Sequence, residues 1–238
     1  MTRNLLQRSL TMVAVLAAAL TTAVHAQASV QEQVAALKRT LAENAAEQRK
    51  YTWIETTELA LNGDVKETNS MSCQYVANDN TPKCTQIGAP PQPKKVRGPL
   101  RKKIAKDKIN DLKGYMDSVK TLVGKYVPPQ QALVQKAQQR GDVAVAPNPS
   151  NNTYKVTVSN YIQQGDAVSI IVHDEDHHLA SLNVGTWLND PTAAVSLNVD
   201  FTTLSNGVSF PLKKVLVASA KGVVVTITSS NFAKAIAQ

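Results

Sequence analysis

The chain has 238 residues, with 26 Lys and Arg against 18 Asp and Glu, a formal net charge of +8. That length can bury one good core, as one domain or at most two small ones. Beyond the N-terminal region no apolar run approaches the about 20 residues that a bilayer-spanning helix needs, which excludes a second spanning segment.

Residues 1–26 have the pattern of a secretory signal peptide. Arg3 and Arg8 supply the positive end, LTMVAVLAAAL the apolar run, and Val24 and Ala26 the small residues before cleavage. Removal leaves 238 − 26 = 212 residues and takes two arginines, so the charge falls from +8 to +6. The expected location is the periplasm, as a soluble protein after cleavage. In that oxidising setting the only two cysteines, Cys73 and Cys84, are expected to form a disulfide. Ten residues separate them, unlike the C-x-x-C spacing of a redox pair.

Residues 29–48 predict a helix, with Val30, Val34, Leu37 and Leu41 at three- and four-residue spacing and Ser29 as cap. In 50–76, Tyr51, Trp53, Leu59 and Leu61 share one face at period two, and Asn62-Gly63-Asp64 marks the turn of a hairpin. A proline-rich connector, 88–100, leads into a long helix that runs to about Tyr126. Its apolar stripe holds Leu100, Ile104, Leu112, Tyr115, Met116, Val119, Leu122, Val123 and Tyr126, and Pro128 and Pro129 stop it. A shorter helix, QQALVQKAQQR, ends at Gly141. The helical insertion thus covers about 95–141 within a single domain, 27–238.

From about residue 142 six short segments rich in Val, Ile and Thr follow, separated by turn signals such as Gly165-Asp166, Asn206-Gly207 and Lys221-Gly222. Val195, Leu197, Val199 and Phe201 alternate with polar residues, the pattern of an antiparallel sheet with one buried face. The fold class is therefore α+β. A sheet of about eight or more strands has to cover its apolar face, and the helices are the available lining.

Four features could carry chemistry. The packet HDEDHH, 173–178, holds three of the four histidines. Its residue types suit zinc or nickel. A three-residue loop, however, sets Val172 opposite Ala180 and Asp174 opposite His178, sending His173 and His178 to opposite faces. The packet then reads as a polar turn, with metal binding as the minor alternative and no metal assigned. The basic run Lys94, Lys95, Arg97, Arg101, Lys102, Lys103, Lys106 and Lys108 contains one acid, Asp107. In an exported protein it suits an anionic membrane surface or an acidic partner, and the aromatic interleaving of a nucleic-acid binder is missing. A solvated helix face stands beside that reading. No G-x-S-x-G, H-E-x-x-H, P-loop or G-x-G-x-x-G occurs, so no enzyme and no cofactor is expected. Last, Trp53, Tyr75, Tyr115, Met116, Trp187 and Phe201 could line an apolar cavity between sheet and helices, or simply pack as core.

YTWIETTELALNGDVKET and HDEDHHLASLNVGTWLNDPTAAVSLNVDFTTLSNGVSFP resemble the first hairpin and the carboxy half of the periplasmic outer-membrane lipoprotein-sorting proteins (LolA/LolB-like). The likeness covers about residues 30–235. It implies a half-open antiparallel β-barrel with helices on its concave side. It also implies non-enzymatic binding of a lipid or of the acyl chain of a lipoprotein. Two features depart from that pattern: the large basic insertion and an aromatic content of 5%. The leading expectation is an envelope protein that binds an apolar ligand. The alternative is a sensor or protein-interaction module using the basic helix, and a metal-binding protein is the third.

Overall fold

Two left-handed residues, Asn62 (φ 52) and Gly63 (φ 85), reverse the chain between the first two strands. Both central φ values are positive, as a two-residue hairpin turn of matching twist requires. The computed structural model describes residues 32, 35–37, 39–76, 81–88 and 99–235, with side chains left aside at 99–102. The signal-peptide reading of 1–26 and the basic residues Lys94, Lys95 and Arg97 lie outside the described residues.

The chain divides into two compact units, 1–42 and 43–238. In the first, residues 39–42 are helical. The second opens on helix α1, 43–48, and continues with β1 (Tyr51–Leu61), β2 (Asp64–Gln74) and β3 (Lys83–Gln86). Helices α2 (Pro99–Val123) and α3 (Gln131–Arg140) follow. Strands β4 (Val143–Asn148), β5 (Thr153–Ser159), β6 (Ala167–His173), β7 (Leu179–Trp187), β8 (Ala194–Thr203), β9 (Ser209–Ala218) and β10 (Val223–Lys234) complete the unit.

All ten strands form one antiparallel sheet in the order β3-β2-β1-β10-β9-β8-β7-β6-β5-β4. The meander β4 to β10 ends beside β1, so the N-terminal hairpin extends the sheet and does not close it. The α+β class and the unclosed antiparallel sheet expected from the sequence are both present.

Directly opposed residues in an antiparallel pair point to the same face. The register therefore draws transverse rows across the sheet. One row runs Val145, Val156, Ile170, Leu182, Val199, Lys214, Ile227, Thr57 and Asn69. The next runs Val143, Val158, Val168, Val184, Leu197, Leu216, Val225, Leu59 and Glu67. Helices α2 and α3 pack on this face. Tyr126, Leu133, Val134 and Ala137 meet Val158, Val168, Leu182, Val184 and Val199. Leu112, Tyr115, Met116 and Val119 meet Val195, Ala218, Val223, Leu59 and Leu61. Burying such side chains contributes about 25 cal/mol per Å² of apolar area. Helix α3 ends as its sequence predicts: Gly141 is left-handed (φ 80), and the N–H groups of Gly141 and Asp142 reach the carbonyls of Gln138 and Ala137.

Two strands were not legible in the sequence, β3 and β4. Both are edge strands, one four residues long and the other carrying Pro147. Proline is tolerated at an edge because it removes a ladder donor that no neighbour needs.

The HDEDHH hairpin has a different register from the one its sequence suggests. Val172 pairs with Leu179 and not with Ala180, because a bulge falls between Ile171 and Val172 in the pairing of β6 with β7. The His173 N–H bonds the His178 carbonyl, leaving a loop of Asp174, Glu175, Asp176 and His177. His173 and His178 are thus opposed partners, and the expectation that they occupy opposite faces fails at this bulge.

Candidate functional site

The helix-side face of β9, β10, β1 and β2 carries a strip of half-buried apolar side chains and an inward ion pair. Its far end is an aromatic cluster. Trp53 and Tyr75 lie with ring centroids 5.5 Å apart, Tyr51 and Phe210 at 5.3 Å, and Phe210 and Phe232 at 4.6 Å, around the buried Cys73 and Val208. Offset and edge contacts at these distances stabilise beyond area burial. Burial pushes the Tyr75 hydroxyl above its ordinary pKa. Helix α1 ties down the start of β9 here. Asn44 accepts from the Ser209 N–H through Oδ1 (2.7 Å) and donates to the Ser209 carbonyl through Nδ2 (2.9 Å). Gln48 donates to that same carbonyl.

Cys73 and Cys84 are directly opposed on β2 and β3 and form a disulfide, as their spacing and setting predict. It pins the short edge strand β3 to the sheet. The two sulfurs and a carboxylate oxygen of Glu55 lie within 4.8 Å of one another, the only such group of three donors among the described residues. With both sulfurs in the S–S bond no thiolate is free to coordinate, so this is not a metal centre as it stands.

Glu55 faces inward with Trp53 and Leu59, and Lys214 faces inward with Leu216 and Ala218. They meet across β10 in an ion pair of 2.6 Å, with side chains 19% and 28% exposed. Around them Thr57, Met71, Leu216 and Ile227 are half-buried. Sequence reasoning missed the pair. The signal was there: period-two alternation in YTWIETTELAL and FPLKKVLVA puts both charges on the apolar face.

The six side chains expected to line one cavity fall into separate places. Trp53 and Tyr75 belong to the aromatic cluster. Tyr115 and Met116 pack against the far end of β1, β9 and β10. Phe201 borders the core under α3. Trp187 follows the inward Thr186 and so points away, its ring lying against Gly165.

A second polar element, also missed, fastens the helices. Asp166, 1% exposed, accepts from the Tyr126 hydroxyl (2.6 Å) and from the backbone N–H groups of Tyr161, Ile162 and Gln163. Tyr126 also contacts the Thr186 hydroxyl at 2.7 Å. Burial first, and then the hydrogen bond to Asp166, push the Tyr126 pKa well above its ordinary value. This network holds the C-terminal end of α2 on β7 and on the β5–β6 loop.

The N-terminal half of α2 is different. Lys103, Lys106 and Lys108 are solvent-exposed, and so are Ile104 (48%) and Ile109 (65%). Asp111 is tied to Lys221 at 2.6 Å.

In the HDEDHH loop the imidazoles turn to different partners. His177, at φ 56, lies against Tyr154 with Nδ1 3.3 Å from its hydroxyl. His178 Nδ1 is 3.1 Å from an Asp176 oxygen but out of line for a hydrogen bond, and His173 is exposed.

No family model and no curated protein matches this chain. Among solved structures it is similar to the crystal structure of a LolA superfamily protein from Nitrosomonas europaea. The two are 7% identical with a TM-score of 0.36, over 82% of this chain and 92% of that one.

Proposed function

We propose that this chain is a non-enzymatic binding protein of the cell envelope that holds an apolar ligand, such as a lipid or the acyl chain of a lipoprotein, on the helix-side face of its sheet. The observation that carries the reading is the strip Leu59, Leu216, Val225 and Ile227. These inward side chains of β1, β9 and β10 are all half-buried, while among their row partners on β5 to β8 Ile170 and Leu197 are half-buried and the other six are buried. A ligand laid on that strip gains roughly 25 cal/mol for each Å² of apolar area removed from water. The disulfide fits an exported protein. A shift of α2, which is fixed at its Tyr126 end, would uncover the strip and let the ligand leave for a partner. Native mass spectrometry of protein purified from the envelope should show co-purified lipid, and a fluorescent fatty acid should bind and be displaced. Loss of both signals ends the reading.

The exposed isoleucines among the lysines of α2 favour a second reading, an interaction module for an acidic envelope protein or an anionic membrane surface. Pull-down and liposome flotation with Lys103, Lys106 and Lys108 changed to Gln test it. Unchanged recovery in both removes it.

A further inference from the structure

We propose that Lys214 anchors the oxyanion head of an amphiphile, a carboxylate or phosphate on an alkyl chain, and that Glu55 is the internal competitor for that position. The inference rests on the sheet face being the ligand-binding face. Among the inward strand positions from Val143 to Ser229, Lys214 is the one charged residue. It stands directly between Val199 and Ile227, with Leu216 next along its own strand. Apolar walls with a single well-placed polar group are the usual make-up of a site for a small amphiphile.

The pair itself is a poor stabiliser. Taking both charges partly out of water offsets much of their attraction, and apolar residues of similar volume often do as well. Exchange, by contrast, is easily arranged. Both side chains keep contact with solvent, so an incoming oxyanion can meet the ammonium group without unfolding anything. It would replace one charge-assisted hydrogen bond with another, while its chain covers Ile227 and Leu216. A lysine ammonium is a compact point charge with three donors and does not demand the planar geometry that arginine reads. Carboxylate and phosphate heads are therefore both admissible. Glu55, released, stays beside Met71 of β2 and keeps part of its surface in solvent.

The test measures binding of dodecanoate, dodecyl phosphate and dodecanol to the purified chain by displacement of a fluorescent fatty acid. Wild type should bind both anions about tenfold more tightly than the alcohol, roughly 1.4 kcal/mol. Lys214→Met should bring both anions down to the alcohol's affinity, with the alcohol unchanged, and Lys214→Arg should restore the preference. Glu55→Gln should tighten both anions severalfold and leave the alcohol where it was. Circular dichroism melting checks folding, and if Lys214→Met does not fold, Glu55→Gln and Lys214→Arg decide. Preference for one anion over the other identifies the head group. Equal affinity of wild type for anions and alcohol overturns the anchor while sparing the apolar face. Failure of all three probes to bind overturns both.

Discussion

The two halves of the helix-side face use the same residue types in the same alternation, yet they are covered differently. On β5 to β8, Val156, Val158, Val168, Leu182, Val184 and Val199 are buried, and Ile170 and Leu197 are half-buried. On β9, β10 and β1, Leu59, Leu216, Val225 and Ile227 keep part of their surface. The difference lies in what holds the cover. Over β5 to β8 the C-terminal end of α2 is fastened by Asp166, Tyr126 and Thr186, and the start of α3 by the Gln130 N–H donating to the Tyr161 hydroxyl. Over β9, β10 and β1, α2 packs along the end marked by Val195, Ala218 and Val223, and α1 is tied to the start of β9 at Ser209. One half is core in the ordinary sense. The other is a surface with a roof on one side and an aromatic wall on the other.

The sharpest way to break that contrast is to remove the fastening. Asp166→Ala takes an acceptor from the Tyr126 hydroxyl, which keeps Thr186, and from three backbone N–H groups, one of them buried and two half-buried; a stranded buried donor costs about 1–3 kcal/mol. We expect a loss of about 4 kcal/mol in urea unfolding. A loss under about 1 kcal/mol would mean that the network is not what secures the helices.

Truncation then compares the halves directly. Leu182→Ala should cost about 3 kcal/mol, in the range for a packed core position, and Ile227→Ala about 1 kcal/mol. Equal costs in chemical denaturation would show the strip to be core. Changing Cys73 and Cys84 together to Ala removes a cross-link spanning 11 positions in sequence. The chain-entropy model gives up to about 3 kcal/mol, and the loss should weaken ligand retention because Cys73 lies under Trp53 and Phe210.

The smallest effect concerns Tyr126. Its pKa is raised in the folded chain, so the stability it contributes is present below the ordinary tyrosine value of about 10 and is lost as pH rises through the folded value. Tyr126→Phe should therefore cost about 1 kcal/mol near neutral pH. It should also flatten the fall in melting temperature above about pH 10. An unchanged alkaline fall would assign it to Tyr75, Tyr115, Tyr154 and Tyr161, whose burial shifts them the same way.

Much of this fold was legible in the sequence because alternation and turn chemistry are local. The Asn62-Gly63 hairpin, the six strands from Thr153 onward and the stop of α3 at Gly141 follow from a few residues each. What depends on distant partners was not. The bulge beside Ala180 shifts the HDEDHH register, and nothing in the loop announces it. Asp166 looks like any turn acid until Tyr126 is placed on it from 40 residues away. Glu55 and Lys214 stand 159 residues apart, and only the pairing of β1 with β10 and of β10 with β9 brings them together. Alternation also marks a face as apolar without saying how much of it a helix will cover. Five of the six expected cavity residues are therefore scattered over three clusters, and Trp187 lies outside them.

The strip at β9, β10 and β1 is the proposed seat of the apolar ligand. Titration of a fluorescent fatty acid into wild type, Ile227→Asp and Lys155→Gln on the exposed side of β5 measures this most directly. Saturable binding to wild type and Lys155→Gln, with a loss of about tenfold or more in Ile227→Asp, is the predicted result. Equal binding to all three, or none to wild type, would contradict it.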